Sequence, residues 1–281
     1  MKKFLVIGNP IEHSLSPKLH NYWFKKYNLA NHYYEKRKIN EKDLQGVIDQ
    51  LRSNTLSGIN VTVPFKKLVM SFCDKLDRTA EDLQSVNTIS KKDNKIIGWN
   101  TDSLGFQECL KNLTTSDKNK PVFVLGAGGV SASVLDGLWG FGSKEIYISN
   151  RSKDKAEELK KQFKEKFNKI EIINWRKKPP EICRIVINTT SVGLKKDDKL
   201  DIDFNDYGSI NGKSFPDNKS IFIDLIYSHK TNFLKDAEKR GNLIIDGKDM
   251  FLGQAKYAFN IWTNLLPKID EETIKLITGN D

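Results

Sequence analysis

The stretch "GINVTVPFKK", Gly58 to Lys67, alternates apolar and polar residues and then ends in a proline and two lysines, so Lys66 stands where a strand should stop. The carboxyl ends of strands are where open α/β sheets bind ligands. Asp102, in "GWNTDSLG", likewise follows a strand-like run. If the two pair, the carboxylate favours the charged ammonium and fixes its position, making the lysine a proton donor for an oxygen that gains negative charge. Each residue alone has a plainer explanation: strand-end lysines are usually solvated, and an Asp before Ser-Leu-Gly usually caps a helix.

A second constellation supplies a reason for such a donor. "VFVLGAGGVSASVLDGL" passes from an apolar strand into Gly126, Ala127, Gly128 and Gly129, and then into a helix with Val130, Val134 and Leu138 on one side. Glycines there permit a tight turn and let backbone N–H groups approach a pyrophosphate, whose charge a helix N-terminus favours. Ser131 stands where the fingerprint prefers a third glycine or alanine. An NAD site should carry Asp or Glu about 20 residues further on. Here "YISNRSKDK" places Asn150, Arg151, Ser152 and Lys155 there instead. Arg151 can stack on adenine and pair with a 2′-phosphate that a carboxylate would repel, so NADP is the expected dinucleotide. Hydride transfer from its nicotinamide to a ketone leaves an alkoxide that needs a proton, the role that suits Lys66.

In "GNPIEHSLSPKLH", Ser16-Pro17 reads as an N-cap and first-turn pair, which leaves Ser14 as a further hydroxyl. Two hydroxyls at a helix N-terminus make a seat for a carboxylate. His13 and His20 read as structural or surface residues.

The elements that must position these groups alternate. "KFLVIG", a helix from Pro17, "HYYEKRKI", a helix with Leu44, Val47, Ile48 and Leu51, and "GINVTV" predict an α/β domain with a mainly parallel sheet. "VNTISKKDNKIIGW" predicts a hairpin turning at Asp93-Asn94. After the polar "TTSDKNK", a new series, "PVFVLGAGG", "KEIYISN", "KIEIIN", "RIVINTT", "SIFIDLIY" and "NLIID", predicts a doubly wound dinucleotide-binding unit. A last helix carries Phe251, Ala255, Ala258, Phe259 and Trp262 on one stripe, a face to bury against the first domain. The expected boundaries are 1–102, completed by 249–281, for the catalytic domain, and 103–248 for the Rossmann-like domain. "KKDDKLDIDFNDYGSINGKSFPDNK" reads as surface loop.

A chain of 281 residues fits two such domains, and 38% hydrophobic residues suffice for their cores. Lys and Arg number 46 against 36 acidic residues, a net +10 that suits anionic ligands. The charges are spread over amphipathic helices such as "KDKAEELKKQFKEKF" and are not interleaved with aromatics, which argues against nucleic acid as a partner. Cys73, Cys109 and Cys183 have no disulfide or metal spacing, so no metal and a reducing cytoplasm are expected. The apolar start "MKKFLVIGNP" stops too early for a signal peptide, and no later stretch suits a membrane span.

With these motifs in hand, the chain resembles the shikimate dehydrogenases. "GNPIEHSLSPKLH", "GINVTVPFK", "SVNTI", "GWNTDSLGF", "LGAGGVSAS", "SNRS", "NTTSVGL", "IDLIY" and "DGKDMFLGQAKYAFNIW" follow in that family's order from residue 5 to about residue 262. The resemblance implies NADPH-dependent reduction of 3-dehydroshikimate to shikimate in aromatic amino-acid biosynthesis, in a cleft between two α/β domains. It implies Lys66 and Asp102 as the catalytic pair. Ser14 and Ser16 would hold the substrate carboxylate with Tyr227 close by, and Thr62, Asn87 and Gln254 would bind the carboxylate side and ring hydroxyls. Gly126, Ala127, Gly128, Gly129, Asn150, Arg151, Ser152 and Lys155 would hold NADP, with Thr189, Ser191, Gly247 and Met250 at the nicotinamide end. Partners would be small molecules, with a homodimer left to be tested. A quinate-oxidising or NAD-preferring relative and a silent NADP-binding regulator are the alternatives; loss of Lys66 or Asp102 would mark the latter, and both are present. The chain departs from the family pattern at Gln84 and Ser85, which replace Gly-Ala, at His229, which replaces a proline, and at Asn264, which replaces a glycine.

Overall fold

A computed structural model of the chain describes residues 1–202, 204, 209, 210, 213, 214 and 219–279, with backbone alone at 115, 116, 209, 210, 213 and 214. Contacts divide it into two units, Met1–Asp102 with Leu252–Asp281, and Ser103–Phe251. The surface-loop reading of residues 195–219 falls partly outside the described residues.

The first unit is built from β1 (Lys2–Gly8), α1 (Ser16–Lys26), β2 (His32–Lys38), α2 (Leu44–Arg52), β3 (Gly58–Val61), β4 (Lys75–Leu76), α3 (Arg78–Leu83), β5 (Thr88–Lys92), β6 (Lys95–Trp99) and the start of α4 (Asp102–Leu110). Its sheet runs β2-β1-β3-β5-β6-β4, parallel over β2, β1 and β3, with β5 antiparallel to both its neighbours. The apolar run of β1 follows from cover on both faces. Leu5 and Ile7 join Ile59 and Val61 against Leu44, Val47, Ile48 and Leu51, the helical stripe of α2. On the other face Phe4 meets Phe24 and Trp262, ring centroids 5.2 and 5.1 Å away. The predicted hairpin turn is present: Asp93 and Asn94 both take left-handed backbone, φ 50° and 59°, as a tight hairpin turn requires.

The second unit holds α5 (Thr115–Lys118), β7 (Val122–Leu125), α6 (Ser131–Phe141), β8 (Glu145–Ser149), α7 (Lys153–Phe163), β9 (Lys169–Ile173), β10 (Ile185–Asn188), the short pair β11 (Ser209–Ile210) and β12 (Lys213–Ser214), β13 (Ile221–Asp224), α8 (Asn232–Lys239) and β14 (Leu243–Ile245). Its main sheet is wholly parallel in the order β14-β13-β10-β7-β8-β9. Strand order therefore reverses between β7 and β10, the doubly wound arrangement that opens a ligand crevice at the strand ends. Pro179-Pro180 lies in the crossover from β9 to β10, which carries no α-helix among the described residues, because proline removes the backbone donor and restricts its predecessor.

Two helices close the chain, α9 (Lys248–Thr263) and α10 (Glu271–Thr278). The apolar stripe of α9 buries Phe259 and packs the half-buried Trp262 among Phe4, His20, Trp23, Phe24 and Tyr34 of the first unit. Complete burial of a side chain such as Phe259 contributes about 2–3 kcal/mol. Gly58 allows the helix this close: a β-carbon there would strike the Trp262 ring, which also donates from Nε1 to the Ile89 carbonyl at 3.1 Å.

Two of the departures fall on left-handed backbone that favours glycine, Gln84 ending α3 at φ 49° and Asn264 following α9 at φ 58°; asparagine tolerates such a position, and the glutamine has no such explanation. One sequence expectation is corrected. Ser16 is the first helical residue of α1, with Leu15 at the cap position and no side-chain cap there; the Ser16 N–H donates to Ser14 Oγ at 3.3 Å. Among the described residues no helix is long and apolar enough to cross a membrane.

His20 is structural. Its ring is fully buried, stacks on Tyr34 at 4.4 Å, and neither nitrogen finds a partner among the described residues, so burial pushes its ionisation down to about 3 from the usual 6.5. The unfolded chain takes up a proton near pH 6.5 and the folded chain does not, so stability falls as the medium acidifies through that range, by about 1.4 kcal/mol per pH unit. Urea unfolding should therefore show the natural chain losing about 2 kcal/mol more than His20→Phe between pH 7 and pH 5. Parallel losses would contradict the burial argument.

Candidate active site

Lys66 sits in the turn that follows β3. Phe65 beside it is buried in the core, and the Lys66 carbonyl accepts from the Val86 N–H at 2.8 Å, so the backbone is held on two sides. The side chain reaches Asp102, Nζ to Oδ2 at 2.5 Å, with only 15% and 7% of the two side chains exposed. Asp102 is the first residue of α4, yet its carboxylate does not cap the helix. That work falls to Asn100, whose Oδ1 accepts from the Asp102 N–H at 2.9 Å. The other carboxylate oxygen, Oδ1, accepts from Asn87 Nδ2 at 2.7 Å. A charge pair drawn this far from water is held only where its remaining lone pairs are satisfied, and Asn87 satisfies one of them.

Asn87 is itself committed on every side. Its Oδ1 accepts from the Thr101 N–H and the Thr88 hydroxyl, both at 2.9 Å, and its Nδ2 also reaches Thr101 Oγ1 at 2.9 Å. Thr101 Oγ1 donates in turn to the Gln254 carbonyl on α9 at 3.0 Å. Lys66, Asp102, Asn87 and Gln254 are thus brought together in the first unit. Thr62 directly follows β3, its N–H on the Ile7 carbonyl at 2.9 Å. The loop carrying Ser14 is tied to the same region through the Asn9 N–H and the Val63 carbonyl at 3.0 Å. Glu12 anchors that loop: backbone N–H donors, its own and that of Ile11, and then Lys38, hold its carboxyl down at about 2. Ser14 and Ser16 stand at the N-terminus of α1, as a carboxylate seat requires.

In the second unit the loop after β7 matches a dinucleotide cradle. Gly126 has φ 107°, and a β-carbon on it would lie 2.5 Å from Thr189 Oγ1. Gly128 and Gly129 face open space, room for a phosphate to approach the backbone. The Ala127 N–H is held by Asn150 Oδ1 at 3.1 Å, and Arg151, Ser152 and Lys155 are exposed just beyond β8. Ser131, a departure from the glycine pattern, has a structural role. It accepts from the Gly128 N–H at 3.0 Å and gives its proton to Thr189 Oγ1 at 2.8 Å, and Thr189 donates to the Leu125 carbonyl at 2.7 Å.

Thr189 and Ser191 lie on the loop after β10, across the strand-order reversal from Gly126. Gly247 immediately precedes α9, and Met250 is buried on its first turn. Tyr227 follows β13 and stacks on Phe251 at 4.4 Å. Sequence reasoning missed the brace beneath this region. Asp224, at the end of β13, accepts from Thr231 Oγ1 at 2.7 Å, Asn188 Nδ2 at 3.2 Å and the Ile226 N–H at 3.2 Å, while burial raises its ionisation above the ordinary carboxylate range. Its signal was an acid closing the otherwise apolar "IFID". Thr101, Asn60 and Thr88 were missed too; they sit in polar positions whose partners only the fold supplies.

Comparisons with known proteins place the chain beside one family. Residues 6–89 match the profile described as Shikimate dehydrogenase substrate binding domain, and residues 108–193 match that of Shikimate / quinate 5-dehydrogenase. A shikimate dehydrogenase (NADP(+)) of Pelagibacter ubique is 47% identical over 277 residues, 98% of each chain. A crystal structure of a shikimate dehydrogenase in complex with NADP+ superposes with a TM-score of 0.87 at 32% identity, covering 99% of this chain and 95% of the other. A shikimate 5-dehydrogenase of Thermus thermophilus, solved with NADP(H) and shikimate, gives 0.82 at 28% identity, covering 99% and 98%.

Gly126→Ala combines a left-handed backbone with the Thr189 clash, and a residue with a β-carbon in that region loses about 1–2 kcal/mol. The variant should melt at a lower temperature and bind NADPH at least about tenfold more weakly in a fluorescence titration. Unchanged binding would remove Gly126 from the cradle.

Proposed function

The chain belongs to the shikimate dehydrogenase family, and we propose that it reversibly reduces 3-dehydroshikimate to shikimate with NADPH, serving aromatic amino-acid biosynthesis. One observation carries the reading: a lysine amine and a carboxylate in contact at 2.5 Å, both largely withdrawn from water, at the carboxyl end of an α/β sheet.

The residues of the second unit fit a dinucleotide. Open space at Gly128 and Gly129 admits a pyrophosphate, and Arg151 with Lys155 supplies positive charge for a 2′-phosphate. When bound, NADPH supplies the hydride to the carbonyl carbon of the substrate. Ser14 and Ser16 hold the substrate carboxylate with Tyr227 close by, and Thr62, Asn87 and Gln254 bind the carboxylate side and the ring hydroxyls. Lys66 Nζ gives a proton to the carbonyl oxygen as negative charge develops on it, and takes it back in the oxidative direction. Asp102 keeps the amine aimed until that moment, and Asn87 keeps Asp102 aimed.

Cys73, Cys109 and Cys183 form no disulfide, and burial pushes each thiol up to about 12, which supports a reducing compartment, the cytoplasm.

Purified protein should oxidise NADPH in the presence of 3-dehydroshikimate, and a rate no higher than background would overturn the assignment. Lys66→Ala should lower kcat by roughly a hundredfold or more, with NADPH affinity nearly unchanged. A matching loss of NADPH affinity would place the lysine elsewhere. Arg151→Ala should weaken NADPH about tenfold or more while NADH changes little, as expected for loss of a charged partner to the 2′-phosphate.

A further inference from the structure

Behind the catalytic pair lies a buried chain of side chains whose hydrogen bonds all point one way. Tyr34 on β2 donates from its hydroxyl to Asn60 Oδ1 at 2.6 Å. Asn60 on β3 donates from Nδ2 to the Asn87 carbonyl at 3.1 Å and to Thr88 Oγ1 at 3.0 Å. Thr88 donates to Asn87 Oδ1, and Asn87 donates to Asp102 Oδ1. All five residues are buried.

The direction is forced by chemistry. A backbone carbonyl can only accept, so the Asn87 carbonyl turns the NH₂ of Asn60 toward itself and leaves its oxygen for Tyr34. The second amide hydrogen of Asn60 occupies Thr88 Oγ1, so the single hydroxyl proton of Thr88 goes to Asn87 Oδ1. Together with the Thr101 N–H, that proton fixes the Asn87 amide with its NH₂ facing the carboxylate. Successive bonds of this sort polarise one another in a low-dielectric interior.

We propose that Asn60 and Thr88 are positioning residues for proton transfer, holding the Asn87 donor on Asp102 as the Lys66 ammonium loses its charge. This rests on the proposed function. Until the proton moves, Asp102 has a counter-ion; afterwards its charge stays buried beside a neutral amine, and the donors aimed at it replace part of what the ammonium supplied. The benefit is therefore greatest in the transition state, where it raises kcat and not ground-state binding.

Thr88→Val keeps the branched shape and deletes the donor, Thr88→Ser restores the hydroxyl, and Asn60→Asp keeps an acceptor for Tyr34 while removing both donors. With 3-dehydroshikimate and NADPH, Thr88→Val should lower kcat about tenfold with KM for NADPH within about twofold, and Thr88→Ser should recover to within about twofold of the natural chain. Asn60→Asp should lose more than Thr88→Val. A Thr88→Val enzyme that only melts earlier at full kcat, or a Thr88→Ser enzyme as slow as the valine variant, would overturn the proposal. An inactive natural chain would instead count against the proposed function. The relay is then read without substrate from the NMR shifts of the Asn87 side-chain amide, which should move in Thr88→Val and return in Thr88→Ser. Identical shifts in all three proteins would overturn it.

Discussion

A lysine ammonium and an aspartate carboxylate, both nearly stripped of water, have to be kept in contact, and much of the first unit is arranged around that requirement. Partial desolvation raises the energy of each charge, and mutual attraction offsets it only when geometry is fixed and spare lone pairs are filled. Lys66 is fixed by a buried Phe65 and a backbone bond to Val86. Asp102 is fixed by Asn100 on its backbone and Asn87 on its carboxylate. The antiparallel pairing of β3 with β5 sets Asn60 directly opposite Thr88, so sheet register is what aligns the polar chain behind the pair.

The second unit meets a different constraint, the approach of backbone to a multiply charged ligand. Strand order reverses between β7 and β10, and the loops after those strands carry Gly126 and Thr189. A single side-chain hydroxyl, Ser131, joins the two loops and satisfies the Gly128 N–H. Asp224 performs the equivalent service for the loop after β10 and for the segment leading to Tyr227. In both units, then, loops expected to meet ligands rest on buried polar groups whose bonds are complete, the condition under which such networks rigidify a site.

Most of the strands and helices were legible in the sequence because their periodicities are enforced by burial. "FLVI", "VFVL" and "IVI" are continuous apolar runs since both faces of a parallel strand are covered, and the stripe of α2 follows from packing on one sheet face. The Asp93-Asn94 turn was legible because few residues accept left-handed backbone. Lys66, Asp102 and the glycine loop stood out in the sequence as candidates at strand ends, and the fold puts the first two in contact. What the sequence concealed were partners distant along the chain. Ser131 looked like a lapse from the glycine pattern until Thr189 stood beside its hydroxyl, and Asn60 looked like any polar residue alternating in a strand until register put Thr88 opposite. The first turn of α1 was misread because Ser16-Pro17 is a common cap pair, whereas here the Ser14 hydroxyl accepts the Ser16 N–H.

The central claim, that Lys66 and Asp102 act as one unit in moving a proton, is tested most directly by a double-mutant cycle on kcat with Lys66→Ala, Asp102→Asn and the pair combined. If the carboxylate works through the amine, the double variant is about as slow as Lys66→Ala alone. Losses that multiply independently would mean that the two groups act separately, and the account built on their contact would fail.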